Sequence, residues 1–410
     1  MKKGIITKSA FKKLSSGHPW LSASDIVDRK ILPPRAGAFL LGQHWWLYSP
    51  ESFLKLRRLG PSLAGWMYTP RFNTLSNADQ FQSYFGNWLL CHFKETLQKK
   101  MKLQNLDEED LCLRWIFSEN DFVPGLIVDI FGDKVVAQIN TAPIELFWVN
   151  IQKILARAYH EVVGKEPTIK ELRNSSVRKK EGLEIIVPET EPEPMILRWN
   201  GLIWQMSPGG SQKTGSYFDQ RENHNRTKQI ALERKYKTAW DLCAYQGGFG
   251  LHLAKAGVKV TAVDQSETAL EAANKNLSLN SIPEENFVTQ KADVFTWLRH
   301  KVESKSKVDL IILDPPSFVK SRTEINAATR GYKELNALAL QCLNPGGLLV
   351  TCVCSHHLTP KLFESVLKDA AAIAKTKVKV LERHGPSPDH APAPHFTEGN
   401  YLQAYYLVTS

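Results

Sequence analysis

The stretch from Thr238 to Asp264 constrains this chain more than any other. It reads as an apolar strand from Ala239 to Ala244, a turn carrying Gly247, Gly248 and Gly250, a helical segment, and a second strand from Lys259 to Val263 that ends on Asp264. That is one βαβ unit of a parallel sheet, the architecture that binds ligands outside the carboxyl ends of its strands. A dinucleotide turn spells Gly-x-Gly-x-x-Gly, whereas here an acid, Asp241, precedes a Gly-Gly-x-Gly turn. A carboxylate at that place repels the phosphate that a helix N-terminus otherwise attracts. It suits a ligand with a cationic end, such as the sulfonium and ammonium groups of S-adenosylmethionine. Asp264 is placed to accept protons from two ribose hydroxyls, and Gly248 to let the main chain approach the ligand without an intervening Cβ. The plainer alternative is a glycine-rich turn in an α/β domain that has no such ligand.

The alternation continues downstream. Helical periodicity covers Glu267 to Leu279, Val294 to Lys301 and Tyr332 to Leu343, and strands are expected at Phe287 to Gln290, Val308 to Leu313 and Leu348 to Cys354. Asp241, Asp264, Asp293, Asp314 and Cys354 then all fall at strand carboxyl ends, where the ligand of such a sheet sits. In Asp314-Pro315-Pro316-Ser317-Phe318, two prolines cannot continue a sheet, so Asp314 is held at the rim and Pro315, Pro316 and Phe318 offer a wall for a flat base. The same residues would also serve simply to end a strand.

Cys352 and Cys354 share one face of their strand by alternation, and only Cys354 is at the tip. Most cysteines are small buried hydrophobes, but beside a methyl donor a thiol has a specific use. Carbon 5 of cytosine or uracil is too weak a nucleophile to take a methyl group directly. A thiolate that adds to carbon 6 makes carbon 5 enamine-like, and a base later removes the carbon 5 proton and expels the thiol. A free thiol ionises near about pH 8.5 and needs donors or positive charge nearby to do so at neutral pH. His356 and His357 follow directly.

The upstream half is organised differently. Short apolar runs broken by Pro and Gly, including His18-Pro19-Trp20, Gly37 to Gly42 and Trp45 to Tyr48, read as a small β-rich module. Trp45 and Trp46 either stack on bases or form that module's core. Helices are expected at Ala78 to Lys100 and Leu146 to Val163. Strands are expected within Leu111 to Ile139 and at Lys170 to Arg173, Leu183 to Val187 and Met195 to Met206, which together make a central α+β module. Arg178, Lys179 and Lys180 form a loop that either grips phosphates or is a solvated turn. The polar run ending Asp219-Gln220-Arg221 either walls the ligand or caps a helix.

At 410 residues two or three domains are expected, drawn at 1–75, 76–205 and 206–410. Six scattered cysteines without Cys-x-x-Cys or His spacing argue for reduced thiols and against a zinc site. A net charge of +10 favours a polyanionic partner. The basic N-terminus lacks a signal peptide's apolar core, and no apolar run approaches the roughly 18 residues of a membrane span. A cytoplasmic location and no membrane association are therefore expected.

These motifs occur in an order that resembles one family. His18-Pro-Trp20, Ser49-Pro-Glu-Ser52, Val177-Arg-Lys-Lys-Glu-Gly182, Lys213-Thr-Gly-Ser-Tyr-Phe-Asp-Gln-Arg221, Ala244-Tyr-Gln-Gly-Gly-Phe249, Asp314-Pro-Pro-Ser-Phe318, Arg330-Gly-Tyr-Lys333 and Cys354-Ser355 are similar to the RlmI family of RNA cytosine-5 methyltransferases. The resemblance spans nearly the whole chain. It implies an α/β protein with a C-terminal Rossmann-like class I methyltransferase domain, preceded by a PUA-like module and a central α+β domain. It further implies S-adenosylmethionine as cofactor and large-subunit ribosomal RNA as partner, with homodimerisation left open. Cys354 would be the nucleophile, with Asp314 beside the target base. Cofactor contacts would come from Asp219, Gln220, Arg221, the turn residues Asp241, Ala244, Tyr245, Gly247, Gly248 and Phe249, and Asp264, Gln265, Asp293 and Asp314. The chain departs from the family's pattern at Gln246, Ser317 and His356-His357. Three rivals stand beside this reading: methylation of a guanine nitrogen on the same fold, a non-catalytic RNA-binding ribosome-assembly factor, and a protein or small-molecule methyltransferase.

Overall fold

The computed structural model describes residues 6–28, 30, 32, 35–41, 44–60, 74–75, 78–106, 111–190, 192–210, 214–319, 324–355, 357–394 and 396–410. Gly42, Lys213 and His356 lie outside the described residues. The chain forms two compact units. The first comprises Met1–Leu197, Met206–Phe218 and Pro388–Gly399, and the second Arg198–Gln205, Asp219–Ser387 and Asn400–Ser410. These divisions differ from the three sequential domains expected from sequence, because segments distant in sequence return to complete each unit. Among the described residues no helix is long and apolar enough to cross a membrane.

The first unit opens with α1 (Lys8–Ser15) and a five-stranded sheet of β1 (Trp20–Leu21), β2 (Gly37–Leu41), β3 (His44–Tyr48), β4 (Leu56–Leu59) and β5 (Thr74–Leu75), in the order β1-β4-β3-β2-β5. Alternation along β3 sends Trp45 and Trp46 to opposite faces, and both faces are covered. Trp45 meets Phe85 edge-on at 5.2 Å, and Trp46 packs in a cluster with Ala10, Leu21 and Leu56. Both tryptophans are core, and neither is presented to a base. There follow α2 (Ala78–Gln104), β6 (Cys112–Phe117), β7 (Leu126–Phe131), β8 (Lys134–Ile139), α3 (Ala142–Val163) and β9 (Thr168–Leu172), with a four-stranded sheet β6-β7-β8-β9. Phe81 of α2 stacks on Phe147 of α3 at 4.1 Å. The expected strand at Leu183 to Val187 is absent: those residues form a loop that touches Arg173 through a single bridge at Ile186.

A hairpin, β10 (Met195–Trp199) and β11 (Leu202–Met206), leads to α4 (Arg221–Glu233). The second unit then alternates through β12 (Thr238–Leu242), α5 (Gly248–Lys255), β13 (Lys259–Asp264), α6 (Glu267–Leu279), β14 (Phe287–Lys291), α7 (Val294–Glu303), β15 (Val308–Leu313), α8 (Ile325–Gln341) and β16 (Leu343–Cys354). It closes with α9 (Pro360–Ile373), β17 (Val378–His384) and β18 (Leu402–Thr409). The sheet order is β14-β13-β12-β15-β16-β18-β17. The first five strands are parallel, and β18 inserts antiparallel between β16 and β17. Helices α7, α8 and α9 cover one face around Tyr332, Leu335, Phe363 and Leu349.

Candidate active site

Parallel register builds the site. Asp241 pairs with Ala262 on one side and Ile312 on the other, and Ile312 pairs with Val350. Two residues further along each strand come Asp264, Asp314 and Cys352, with Cys354 two beyond that. A side-chain period of two therefore directs Asp241, Asp264, Asp314, Cys352 and Cys354 toward one face of the sheet at its carboxyl edge.

The turn after β12 is held in an unusual backbone form. Cys243 (φ 62°), Tyr245 (φ 50°) and Gly247 (φ 82°) are all left-handed, and two of them pay the steric cost of a Cβ. Two carboxylates hold the turn in place. Asp264 accepts from the Tyr245 N–H (2.9 Å) and the Ser266 N–H (2.8 Å), and Asp241 accepts from the Gly250 N–H at 2.8 Å. A Cβ on Gly250 would lie 2.9 Å from Asp241 Oδ2 and 2.8 Å from Phe287, so only glycine fits. Gly248 is required for a reason the sequence does not reveal: a Cβ there would meet the buried His224 ring at 2.7 Å.

Asp241 is buried beneath the turn instead of lying open to a ligand. Burial, reinforced by Asp314 and Asp264, pushes its carboxyl up to about 7 against the opposing Gly250 N–H. The Cys243 thiol is likewise raised, first by burial and then by Asp264, Asp314, Asp241 and Asp293. Four carboxylates thus act on this one thiol, an arrangement that suits a ligand with a cationic end. The S-adenosylmethionine expected from sequence fits this acceptor set: Asp264 would hold its ribose end, each oxygen keeping a further lone pair for a hydroxyl, and Asp241 would act on its cationic end only through its charge from beneath the turn.

At the reacting end, Gln220 Nε2 donates to Asp314 Oδ2 at 3.0 Å, and Asn223 Nδ2 donates to Gln220 Oε1 at 2.6 Å. Cys352 is wholly buried, and its thiol is pushed far up by burial, Asp314 and Cys354. Cys354 at the tip is half-buried, and so reachable where Cys352 is not. Pro315 is buried and Pro316 exposed, so of the pair only Pro316 is accessible. Phe318 is half-buried against Tyr332, with ring centroids 4.6 Å apart.

The remaining expected residues divide. Asp293 caps α7 through the Thr296 N–H (2.9 Å) and accepts from Gln265 Nε2 (2.8 Å), so these two side chains hold each other at the exposed rim. Ala244 and Phe249 are buried within the turn. Asp219 accepts from the Tyr401 hydroxyl at 2.6 Å, and Arg221 lies over the Trp199 ring at 5.5 Å. Both are buried.

Arg178 is a correction. It is buried and donates to Ile139 O (2.6 Å), Glu184 O (2.7 Å) and Glu145 (2.8 Å), so it holds the first unit together and cannot grip a phosphate. The segment Ser176–Glu181 is a 3-10 turn, whose period of three turns Arg178 and Glu181 inward and leaves Lys179 and Lys180 exposed. Glu181 pairs with Arg57 at 2.5 Å, and Arg57 also donates to Ser49 and Ser52. Trp20 donates to Glu119 at 2.9 Å. Three of the N-terminal motifs are therefore internal clasps of the first unit. Gln220, expected as a cofactor contact, was not foreseen as the partner of Asp314, and His224, Tyr401 and Tyr332 were not singled out from sequence. Gln220 and Tyr332 lay in quoted motifs.

Residues 183–398 match the family of S-adenosylmethionine-dependent methyltransferases. The chain is 33% identical to the ribosomal RNA large subunit methyltransferase I of Tolumonas auensis, with 97% of each sequence covered. It is 31% identical to the enzyme of that name from Erwinia tasmaniensis, with 98% of each covered. Its fold is similar to the crystal structure of SMU.776, a methyltransferase complexed with SAH, at a TM-score of 0.76 and 18% identity over 98% of each chain. A SAM-dependent methyltransferase from Streptococcus mutans gives 0.74 and 20% over the same shares.

Proposed function

The chain belongs to the ribosomal RNA large subunit methyltransferase I family, and on that premise we propose that it methylates carbon 5 of a cytosine in large-subunit ribosomal RNA through a covalent adduct of Cys354. It is an S-adenosylmethionine-dependent methyltransferase. The observation that carries the cytosine-5 reading is the half-exposed Cys354 on the same sheet face as Asp314 and the carboxylate-lined turn.

When bound, the cofactor supplies an electrophilic methyl group to carbon 5. Asp241 and Asp264 keep the turn in its left-handed form, so that the ligand's cationic and ribose ends meet acceptors. Cys354 Sγ adds to carbon 6 of the base and gives carbon 5 its nucleophilic character. Asp314, oriented by Gln220, addresses the polar edge of the ring, and Pro316 and Phe318 flank its plane. Removal of the carbon 5 proton restores the double bond and breaks the Sγ–carbon 6 bond, returning the thiol. The PUA-like five-stranded sheet and exposed Lys179 serve RNA binding in the cytoplasm, the sheet by shape and the lysine by charge.

Mass-spectrometric mapping of ribosomal RNA from cells with and without the protein tests this function. A 5-methylcytosine that disappears with the protein supports it. Loss of a methylguanine instead would transfer the chain to the guanine-nitrogen reading.

A further inference from the structure

A chain of hydrogen bonds runs through the second unit and ends on Asp314. The Tyr406 hydroxyl of β18 donates to the Asn223 main-chain oxygen at 3.2 Å and to its Oδ1 at 3.4 Å. Asn223 Nδ2, on α4, donates to Gln220 Oε1 at 2.6 Å, and Gln220 Nε2 donates to Asp314 Oδ2 at 3.0 Å. Tyr406, Asn223 and Gln220 are buried, and of the four only Asp314 is partly open.

The chain has one direction, set from both ends. A carboxylate only accepts, so the Gln220 amide turns its nitrogen to Asp314 and its oxygen inward. Asn223 is fixed independently, because its Nδ2 also donates to the Gly385 carbonyl at 3.2 Å, a group that only accepts. Burial holds the Tyr406 phenol above its usual range, so its hydroxyl stays a donor at working pH. The terminal torsion of a glutamine is broad and roughly two-fold, so the Gln220 side chain has no preference of its own between its two faces. Turned over, it would set Oε1 against the Asp314 carboxylate and Nε2 against Asn223 Nδ2. Both contacts oppose like groups in a site that water does not screen.

We propose that Asn223 is a positioning residue for methyl transfer: it fixes the face of the Gln220 amide, and so the aim of Asp314, with Tyr406 holding Asn223 in turn. This rests on the reading of Asp314 as the group that addresses the polar edge of the base.

The test is a double-mutant cycle in the full chain, read as kcat/KM for methylation of ribosomal RNA, with the melting temperature and S-adenosylmethionine affinity of each variant measured alongside. Asn223→Ala is expected to lower kcat/KM about tenfold, with cofactor affinity unchanged. In a Gln220→Ala background, where no amide remains to be aimed, the same change should cost less than about twofold more. Tyr406→Phe keeps the ring and removes only the hydroxyl. It should lose about threefold, again only while Gln220 is present, and serves if Asn223→Ala does not fold. No loss, or equal losses in both backgrounds, would overturn the proposal alone, as would a fall in cofactor affinity that accounts for the lost rate. Wild-type methylation by Asp314→Ala would overturn the reading of Asp314, and the proposal with it.

Discussion

Gln220 Nε2 donates a 3.0 Å hydrogen bond to Asp314 Oδ2 across 94 residues of sequence. The pair joins the turn before α4 to the tip of β15, so the Asp314 carboxylate is aimed by a buried amide. Gln220→Ala is expected to lower kcat/KM tenfold or more, since a hydrogen bond to a charged group is worth about 1.5–3 kcal/mol. Gln220→Glu should cost more at neutral pH, where two carboxylates repel, and regain activity in mild acid, where one is protonated. Steady-state kinetics across pH would check both variants.

Asp241 predicts a link between protons and cofactor. Its folded value of about 7 lies above the ordinary carboxyl range. The ligand-free fold is thus favoured below that range and loses stability as pH rises through 7. A bound cation favours the ionised carboxyl, so binding near pH 7 should release protons, measurable by calorimetry in buffers of different ionisation enthalpy. Asp241→Asn should raise the melting temperature of the ligand-free protein at pH 8 and weaken cofactor binding.

The basic run at Arg178 to Lys180 should separate by depth. Glu181→Gln removes the nearer of the two carboxylates paired with buried Arg57, and Arg178→Ala empties three internal hydrogen bonds. Breaking a buried pair typically costs about 3–5 kcal/mol, which denaturant titration would register. Lys179→Ala should leave stability unchanged and lower RNA affinity, with a shallower salt dependence.

Gly250→Ala should strike fold and ligand together. The added methyl meets Asp241 Oδ2 at 2.9 Å and Phe287 at 2.8 Å, and overpacking of this kind costs about 1–3 kcal/mol. Cofactor affinity should fall further than stability alone explains, because the displaced group is the carboxylate that holds the turn.

What was legible in the sequence was local and periodic. The β12 to β13 unit, the strand tips bearing Asp264, Asp314 and Cys354, and the long helices follow from hydrophobic period and glycine placement within short windows. Contacts between distant segments stayed hidden: Gln220 with Asp314, Asp219 with Tyr401, and His224 against Gly248. Arg178 was misplaced because a charge run gives no sign of the 3-10 period that turns every third side chain inward. Left-handed Cys243 and Tyr245 were illegible because neither residue type advertises a positive φ. The antiparallel β18, apolar on both faces, was not assigned from sequence at all.

The most direct measurement uses ribosomal RNA substituted with 5-fluorocytidine. Fluorine cannot leave carbon 5 as a cation, so elimination of the thiol is blocked and the adduct persists. With S-adenosylmethionine present, the expected result is a covalent protein–RNA species whose cross-linked peptide contains Cys354, absent in Cys354→Ser. Undiminished methylation by Cys354→Ser, or a cross-link at another cysteine, would contradict it.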